Sequence, residues 1–191
     1  MMLLSRANMA SKSPPLSRRR LLAVGSSAGI IAFGGCLGSI TRSEQEVCSS
    51  GYREIGGVFT ERSIVNYLRY ASLTVPQSIR PGEKFVATLT NESTDPLTTL
   101  GKRRYMIQRL SPDGMWRNTI GVPEKYEWSP SQRVLEPGEE LSWEMTLDVN
   151  EFSGPFQRCT THIPATYRFI YWGFSEHDAG IALAAPFAIV E

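Results

Sequence analysis

From about residue 67 onward, apolar and polar side chains alternate with the period of a β-strand. The clearest stretch is Leu141 to Val149: Leu141, Trp143, Met145, Leu147 and Val149 share one face, and Ser142, Glu144, Thr146 and Asp148 share the other. Apolar positions recurring every second residue define a half-buried strand, because at helical spacing they would scatter around the axis. Phe85, Ala87 and Leu89 alternate with Lys84, Thr88 and Thr90 in the same way. Arg104 to Leu110, Ala165 to Phe174 and Ala184 to Val190 predict further strands, and Leu73-Thr74-Val75 a short one. Within 165–174, Tyr167, Phe169 and Tyr171 fall on one face, with Ile170 and Trp172 on the other. A strand apolar on both faces is either central between two layers or presents an aromatic patch to a partner.

Turn chemistry punctuates these runs. Arg80-Pro81-Gly82-Glu83 sets φ with proline and supplies a glycine that tolerates positive φ. Asn91-Glu92-Ser93-Thr94-Asp95-Pro96 is a second turn cluster, and Asp113-Gly114 suits a hairpin whose return begins at Met115-Trp116. Ile79-Arg80-Pro81-Gly82-Glu83-Lys84-Phe85 is echoed by Leu135-Glu136-Pro137-Gly138-Glu139-Glu140-Leu141, as two equivalent corners of one sandwich would be. Two copies do not make a solenoid, which needs three or more repeats. Between 51 and 66 the pattern is broken by Gly51, Gly56 and Gly57, and Ile64 to Leu68 reads as strand or helix. Short strands, Pro-Gly turns and no convincing helix predict an all-β antiparallel sandwich.

The first 36 residues follow another logic. They carry Arg6, Lys12, Arg18, Arg19 and Arg20 without an acid, a charge of +5, and Leu21 to Phe33 is a mildly apolar run of 13 residues. That run is too short for a hydrocarbon core needing about 20 residues, and a basic start before a short apolar middle makes an export signal. Ser17-Arg18-Arg19-Arg20-Leu21-Leu22 resembles the twin-arginine motif that exports folded proteins. Phe33-Gly34-Gly35-Cys36-Leu37-Gly38 resembles a lipobox, with Phe33 in place of the usual small aliphatic residue. Together they look like leaders of lipoproteins from halophilic archaea, and the resemblance covers residues 17–38. It implies that Cys36 is the lipid attachment site and the new N-terminus. The alternatives are an uncleaved signal anchor and a chance basic-apolar run, and Met9 is a second candidate start. The expected layout is a signal peptide over 1–35, the lipidated cysteine and a polar tether over 36–50, and the sandwich over 51–191. A thioether-linked lipid would supply two chains and anchor firmly, whereas one chain binds only marginally, so the domain is expected at the outer face of the cytoplasmic membrane.

The run Thr88 to Ser93, then Asp113-Gly114-Met115-Trp116, then Leu135 to Glu139, then Tyr167-Arg168-Phe169 resembles the Ig-like domains of small bacterial and archaeal lipoproteins, over roughly residues 70–190. The likeness bears on fold, and no catalytic residues are expected from it.

Charge adds one exclusion. Beyond residue 36 there are 15 basic and 19 acidic side chains, a balance of −4, with twelve Arg and only three Lys. A mildly acidic body lacks the basic face that nucleic acid requires. Low lysine with excess acid fits a secreted protein of a salt-adapted organism.

With Cys36 lipidated, Cys48 and Cys159 remain, and outside the cell an even pair is most simply a disulfide; the alternative is two free thiols. Cys159-Thr160-Thr161-His162 invites a metal reading. Blue copper needs two histidines, a cysteine and a weak axial ligand, whereas His162 and His177 both follow Cys159 and no methionine lies beyond Met145. Zinc held by Cys48, Cys159, His162 and His177 matches no finger or knuckle spacing. No metal or cofactor is therefore expected. No serine-hydrolase elbow, phosphate loop or metalloprotease motif occurs, and no enzyme is expected. Glu139-Glu140 reads as solvated turn charge. Lys102-Arg103-Arg104 can meet anionic lipid heads or a glycan, or be a solvated loop, and Trp116 and Trp128 lie near turns. Asn91-Glu92-Ser93 is an N-glycosylation acceptor that, if used, belongs on the surface.

The expected function is a non-catalytic module bound to membrane lipid through Cys36 and to a protein, envelope component or glycan through its fold. The alternative is an accessory or carrier of a membrane enzyme or transporter, binding a small ligand or metal.

Overall fold

The computed structural model describes residues 48–55, 63–147, 154–161, 163–175 and 180–191. The leader residues Ser17, Arg18, Arg19, Leu21, Leu22 and Cys36 lie outside the described residues, as do Val149, His162 and His177.

The fold is all-β. In chain order the strands are β1 (Tyr52–Glu54), β2 (Ile64–Val65), β3 (Ala71–Thr74), β4 (Ser78–Ile79), β5 (Lys84–Asn91), β6 (Leu97–Thr99) and β7 (Tyr105–Leu110). They continue as β8 (Trp116–Asn118), β9 (Ile120–Pro123), β10 (Arg133–Leu135), β11 (Glu140–Thr146), β12 (Gln157–Arg158), β13 (Ala165–Tyr171) and β14 (Ala182–Ile189). One sheet has the order β11-β5-β3; the larger has β2-β14-β13-β7-β8, with β4 also pairing to β14. All pairs in the two main sheets are antiparallel except β2 and β4, which run parallel to β14. Two small sheets, β1-β9-β12 and β10-β6, complete the set. Ile64-Val65, ambiguous in the sequence, is thus a strand.

The two main sheets face each other through the alternating positions. Along β11 Leu141, Trp143 and Met145 are buried and Glu140, Ser142 and Glu144 exposed; Phe85, Ala87 and Leu89 are buried on the adjacent β5. Trp143 packs against Tyr105, Phe169 and Tyr171 of the opposite sheet at centroid distances of 6.1, 5.1 and 5.3 Å, and Phe85 meets Phe187 at 5.8 Å. These inter-sheet contacts make the molecule a sandwich. Of the two readings of the aromatic strand, the central one holds. β13 lies between β14 and β7, and Tyr167, Phe169, Ile170, Tyr171 and Trp172 are all buried.

The echoed turns are built alike. Glu83 N–H donates to Arg80 O (3.0 Å) and Glu139 N–H to Glu136 O (2.8 Å), with φ of 77° at both Gly82 and Gly138. In each, the glutamate carboxylate accepts from the first residue's N–H, Arg80 at 2.9 Å and Glu136 at 3.0 Å. Glu139 also pairs with Arg133 at 2.8 Å, and these bonds hold its carboxyl below the usual range. The turns lead into neighbouring antiparallel strands, β5 and β11, so they sit at opposite ends of one sheet.

Asn91, the possible N-glycosylation acceptor, lies inside the fold and not at its surface. Asn91 is 1% exposed, and its Nδ2 donates to Asp95 O (2.8 Å) and Leu135 O (2.9 Å), while its Oδ1 accepts from Ser93 N–H and Oγ. Both amide hydrogens thus tie the end of β5 to the loop after it and to the second Pro-Gly turn. A glycan on Nδ2 would displace one of them. The folded protein is expected to carry no mass addition at Asn91 by peptide mapping. Asn91→Ala, which takes the amide donor from the buried Leu135 carbonyl while Asp95 O keeps the Ser93 hydroxyl, is expected to cost about 1–3 kcal/mol in denaturant unfolding.

Burial also shows in the tyrosines. Desolvation pushes the Tyr171 hydroxyl up to about 12 and that of Tyr105 higher still. An unfolded tyrosine ionises near pH 10. The neutral rings therefore contribute stability that is complete below about pH 10 and lost as pH rises through about 12. Tyrosinate absorbance should accordingly develop in two phases, the later one coinciding with loss of β circular dichroism. A single phase near pH 10 with the fold intact would contradict this.

Candidate functional site

The disulfide joins Cys48, just before β1, to Cys159, just after β12. Between these strands runs β9, where Gly121 pairs with Glu54 on one side and Gln157 on the other. A Cβ at Gly121 would lie 2.7 Å from each sulfur and 2.6 Å from Arg53 O. Only glycine lets the bridge cross the strand. With both sulfurs bonded to each other, the copper and zinc alternatives lose their thiolate ligands, and among the described residues no group of three or more His, Cys, Asp or Glu is placed to hold a metal ion.

The segment Leu100–Arg104, between β6 and β7, carries the three consecutive cations, and its backbone is fastened to the core. Leu100 N–H donates to Gly173 O (2.6 Å) and Trp172 N–H to Arg104 O (2.9 Å). Tyr171 Oη shares its one proton between Gly101 O and Gly173 O, each at 3.2 Å, and Trp143 Nε1 donates to Lys102 O (2.7 Å). Gly101 has φ of 76°, the left-handed region that a side chain disfavours. Two of the largest core aromatics therefore turn their polar atoms outward to hold this loop. Buried Tyr and Trp need partners for those atoms, and the loop carbonyls supply them.

Lys102 and Arg103 are exposed. Arg104 is half-buried: its guanidinium carbon lies 5.8 Å from the centroid of the Trp128 ring, and Nη2 donates to Ser129 O at 3.3 Å. Its Nε is buried without a hydrogen-bond partner. Trp128 packs edge-on against Tyr126 (4.9 Å) and Trp172 (5.3 Å). Between the loop and Trp128–Ser131 lies a groove of about 380 Å³, lined by Leu100, Gly101, the three cations, Trp128, Ser129 and Ser131. A second depression of about 320 Å³ adjoins it, sharing Lys102 and Arg103 and reaching Ser142 and Gly154. The first has no carboxylate in its lining. The second has Glu144, already paired with Lys84 at 2.9 Å.

The outer face of β13 carries a polar cluster that periodicity does not announce. Arg168 Nε donates to Gln108 Oε1 (2.8 Å), Gln108 Nε2 to Asn118 Oδ1 (2.9 Å), and Asn118 Nδ2 to Ile55 O (2.7 Å). The Arg168 guanidinium carbon also stands 4.2 Å from the Trp116 ring centroid. This chain satisfies a nearly buried cation and welds β13, β7 and β8 to the segment after β1. Its arrangement is structural.

No family model matches the chain, and no curated protein matches it. Among solved structures, the chain is similar to a β-glucosidase from Listeria innocua in complex with gluconolactone, at TM-score 0.34 and 14% identity over 63% of this chain and 16% of that one. An alkylpurine DNA glycosylase, AlkC, from Pseudomonas fluorescens aligns at TM-score 0.34 and 16% identity, covering 64% of this chain and 31% of that one. The sulfur carrier protein SoxY from Chlorobium limicola aligns at 0.27 and 9%, covering 66% and 81%. The chain thus spans less than a third of either enzyme, and likenesses this slight carry no function across.

Proposed function

We propose that this chain is an exported lipoprotein, anchored through Cys36 to the outer face of the cytoplasmic membrane, whose sandwich is a non-catalytic Ig-like binding module. The observation that carries the reading is the disulfide placed directly after the leader and tether. Such bridges belong to oxidising compartments, and this one ties the first described residue, Cys48, to the body of the fold. Its agreement with the Ser17–Leu22 export motif and the Cys36 lipobox is independent of either motif. For the Ig-like assignment, the support is strand order. β11-β5-β3 facing β14-β13-β7 has the succession of two antiparallel sheets found in that architecture, with an early strand parallel to the last.

The tether Leu37 to Val47 is 11 residues, at most about 36–40 Å when extended, so the module works close to its membrane. Wild type is expected to enter the detergent phase on phase separation, and Cys36→Ser to remain uncut or to appear in the aqueous phase. Arg18→Lys together with Arg19→Lys is expected to block export. Equal partitioning of wild type and Cys36→Ser would remove the lipid anchor from the proposal.

A further inference from the structure

We infer that the groove formed by Lys102, Arg103, Arg104, Trp128, Ser129 and Ser131 is a binding site for an acidic saccharide, one whose sugar rings carry carboxylate or sulfate groups. The charge argument comes first. Beyond the leader the chain is acidic by −4, yet three cations stand together here, and none pairs with a carboxylate among the described residues. Cations without local partners, beside a groove without acids, leave a field that favours an anion.

Geometry comes second. Four hydrogen bonds fix the loop backbone, so the cations project from a platform that binding does not have to order, and preorganisation of this kind lowers the entropic cost of association. Arg104 has its plane set by Trp128 and Ser129 while the residue stays half-exposed, and a guanidinium fork held in this way matches the paired oxygens of a carboxylate or sulfate.

The third argument concerns shape. The lining adds an indole and two serine hydroxyls, Ser129 Oγ and Ser131 Oγ lying 3.1 Å apart, which suit the mixed apolar and hydroxyl surface of a sugar. About 380 Å³ is near the lower end of small-ligand sites, room for a ring or two and tight for a folded partner. Because the second depression shares Lys102 and Arg103, a chain of rings can cross the loop and place successive anionic groups on the same two cations. The inference stands apart from the lipid anchor.

The test uses the full chain purified in detergent, with tryptophan fluorescence and calorimetry as readouts. Probes are an oligogalacturonate (carboxylate), a heparin-derived oligosaccharide (sulfate), neutral maltotetraose, inorganic sulfate alone and phosphatidylglycerol vesicles. At least one acidic oligosaccharide is expected to bind, more weakly as salt rises, with no response to maltotetraose. Lys102→Ala with Arg103→Ala should weaken binding about tenfold or more, while Arg80→Ala with Arg117→Ala, charge-matched and remote in sequence, should leave it unchanged. Which acidic probe binds tells a uronate from a sulfate ester. The inference is overturned if neither acidic oligosaccharide binds, if both double variants weaken binding equally, if inorganic sulfate competes as strongly as the saccharide, or if only the vesicles respond to Lys102 and Arg103.

Discussion

Serine at both Cys48 and Cys159 is expected to lower the free energy of unfolding by about 4–5 kcal/mol, because the bridge closes a loop of 111 residues in the unfolded chain and loop entropy grows with length. The loss should also have a location. β1, β9 and β12 have three, four and two residues, too short to make an independently stable sheet. The disulfide is the short covalent link between their outer members, which the backbone joins only through the rest of the fold. Hydrogen exchange in the double variant should therefore accelerate first at β1 and β12, well before the β13–β14 pair. Reductant is expected to lower the denaturant midpoint of wild type and to leave that of the double variant alone. Two alkylatable thiols in native wild-type protein would sink both expectations. Gly121→Ala should act in the same direction, since its Cβ and the sulfurs cannot share that space.

Trp143→Ala is expected to cost about 3–5 kcal/mol, the range for a large aromatic truncated in a packed core. Its ring is 3% exposed and touches Tyr105, Phe169 and Tyr171 across the sandwich, and its Nε1–H holds the Lys102 carbonyl. Trp143→Phe isolates the second role. Most of the apolar volume remains while the donor is lost, for about 1–3 kcal/mol, with faster amide exchange around Leu100–Arg104. Glu144→Ala, one residue on, should change stability by less than ~0.5 kcal/mol, because its partner Lys84 is as exposed as it is. Equal losses at 143 and 144 would mean that the faces of β11 are assigned the wrong way round.

What the sequence made legible was periodicity. The long strands β5, β11, β13 and β14 appear where alternation or aromatic content announces them, within a few residues of their observed ends. Legibility stopped where the deciding partner lies far along the chain. The aromatic strand had two readings because its second cover includes Trp116 and Trp128, which reach it only through tertiary packing. Asn91 resembled a surface acceptor because three residues cannot reveal that Leu135, 44 positions later, takes one of its amide hydrogens. Short strands such as β1, β6, β10 and β12 have too few residues to establish any period. The candidate site shows both cases. Lys102-Arg103-Arg104 was visible as a run of charge, while the groove needed a wall from Trp128 to Ser131, and a core tryptophan whose indole holds the loop.

The bridge from Cys48 to Cys159 also has a mechanical meaning. When the domain is pulled by its two ends, tension entering at Cys48 passes through the sulfurs to Cys159, and the chain between them, a sequence separation of 111, cannot straighten. At about 3.3–3.6 Å per residue, some 370–400 Å of hidden length stays locked until the bond is reduced. Stretched oxidised, the molecule should therefore yield by a short extension drawn from the residues after Cys159, and reduction should release the rest. A protein held at a surface would on that account resist drag by its covalent shortcut, with most of its sheet shielded from the load.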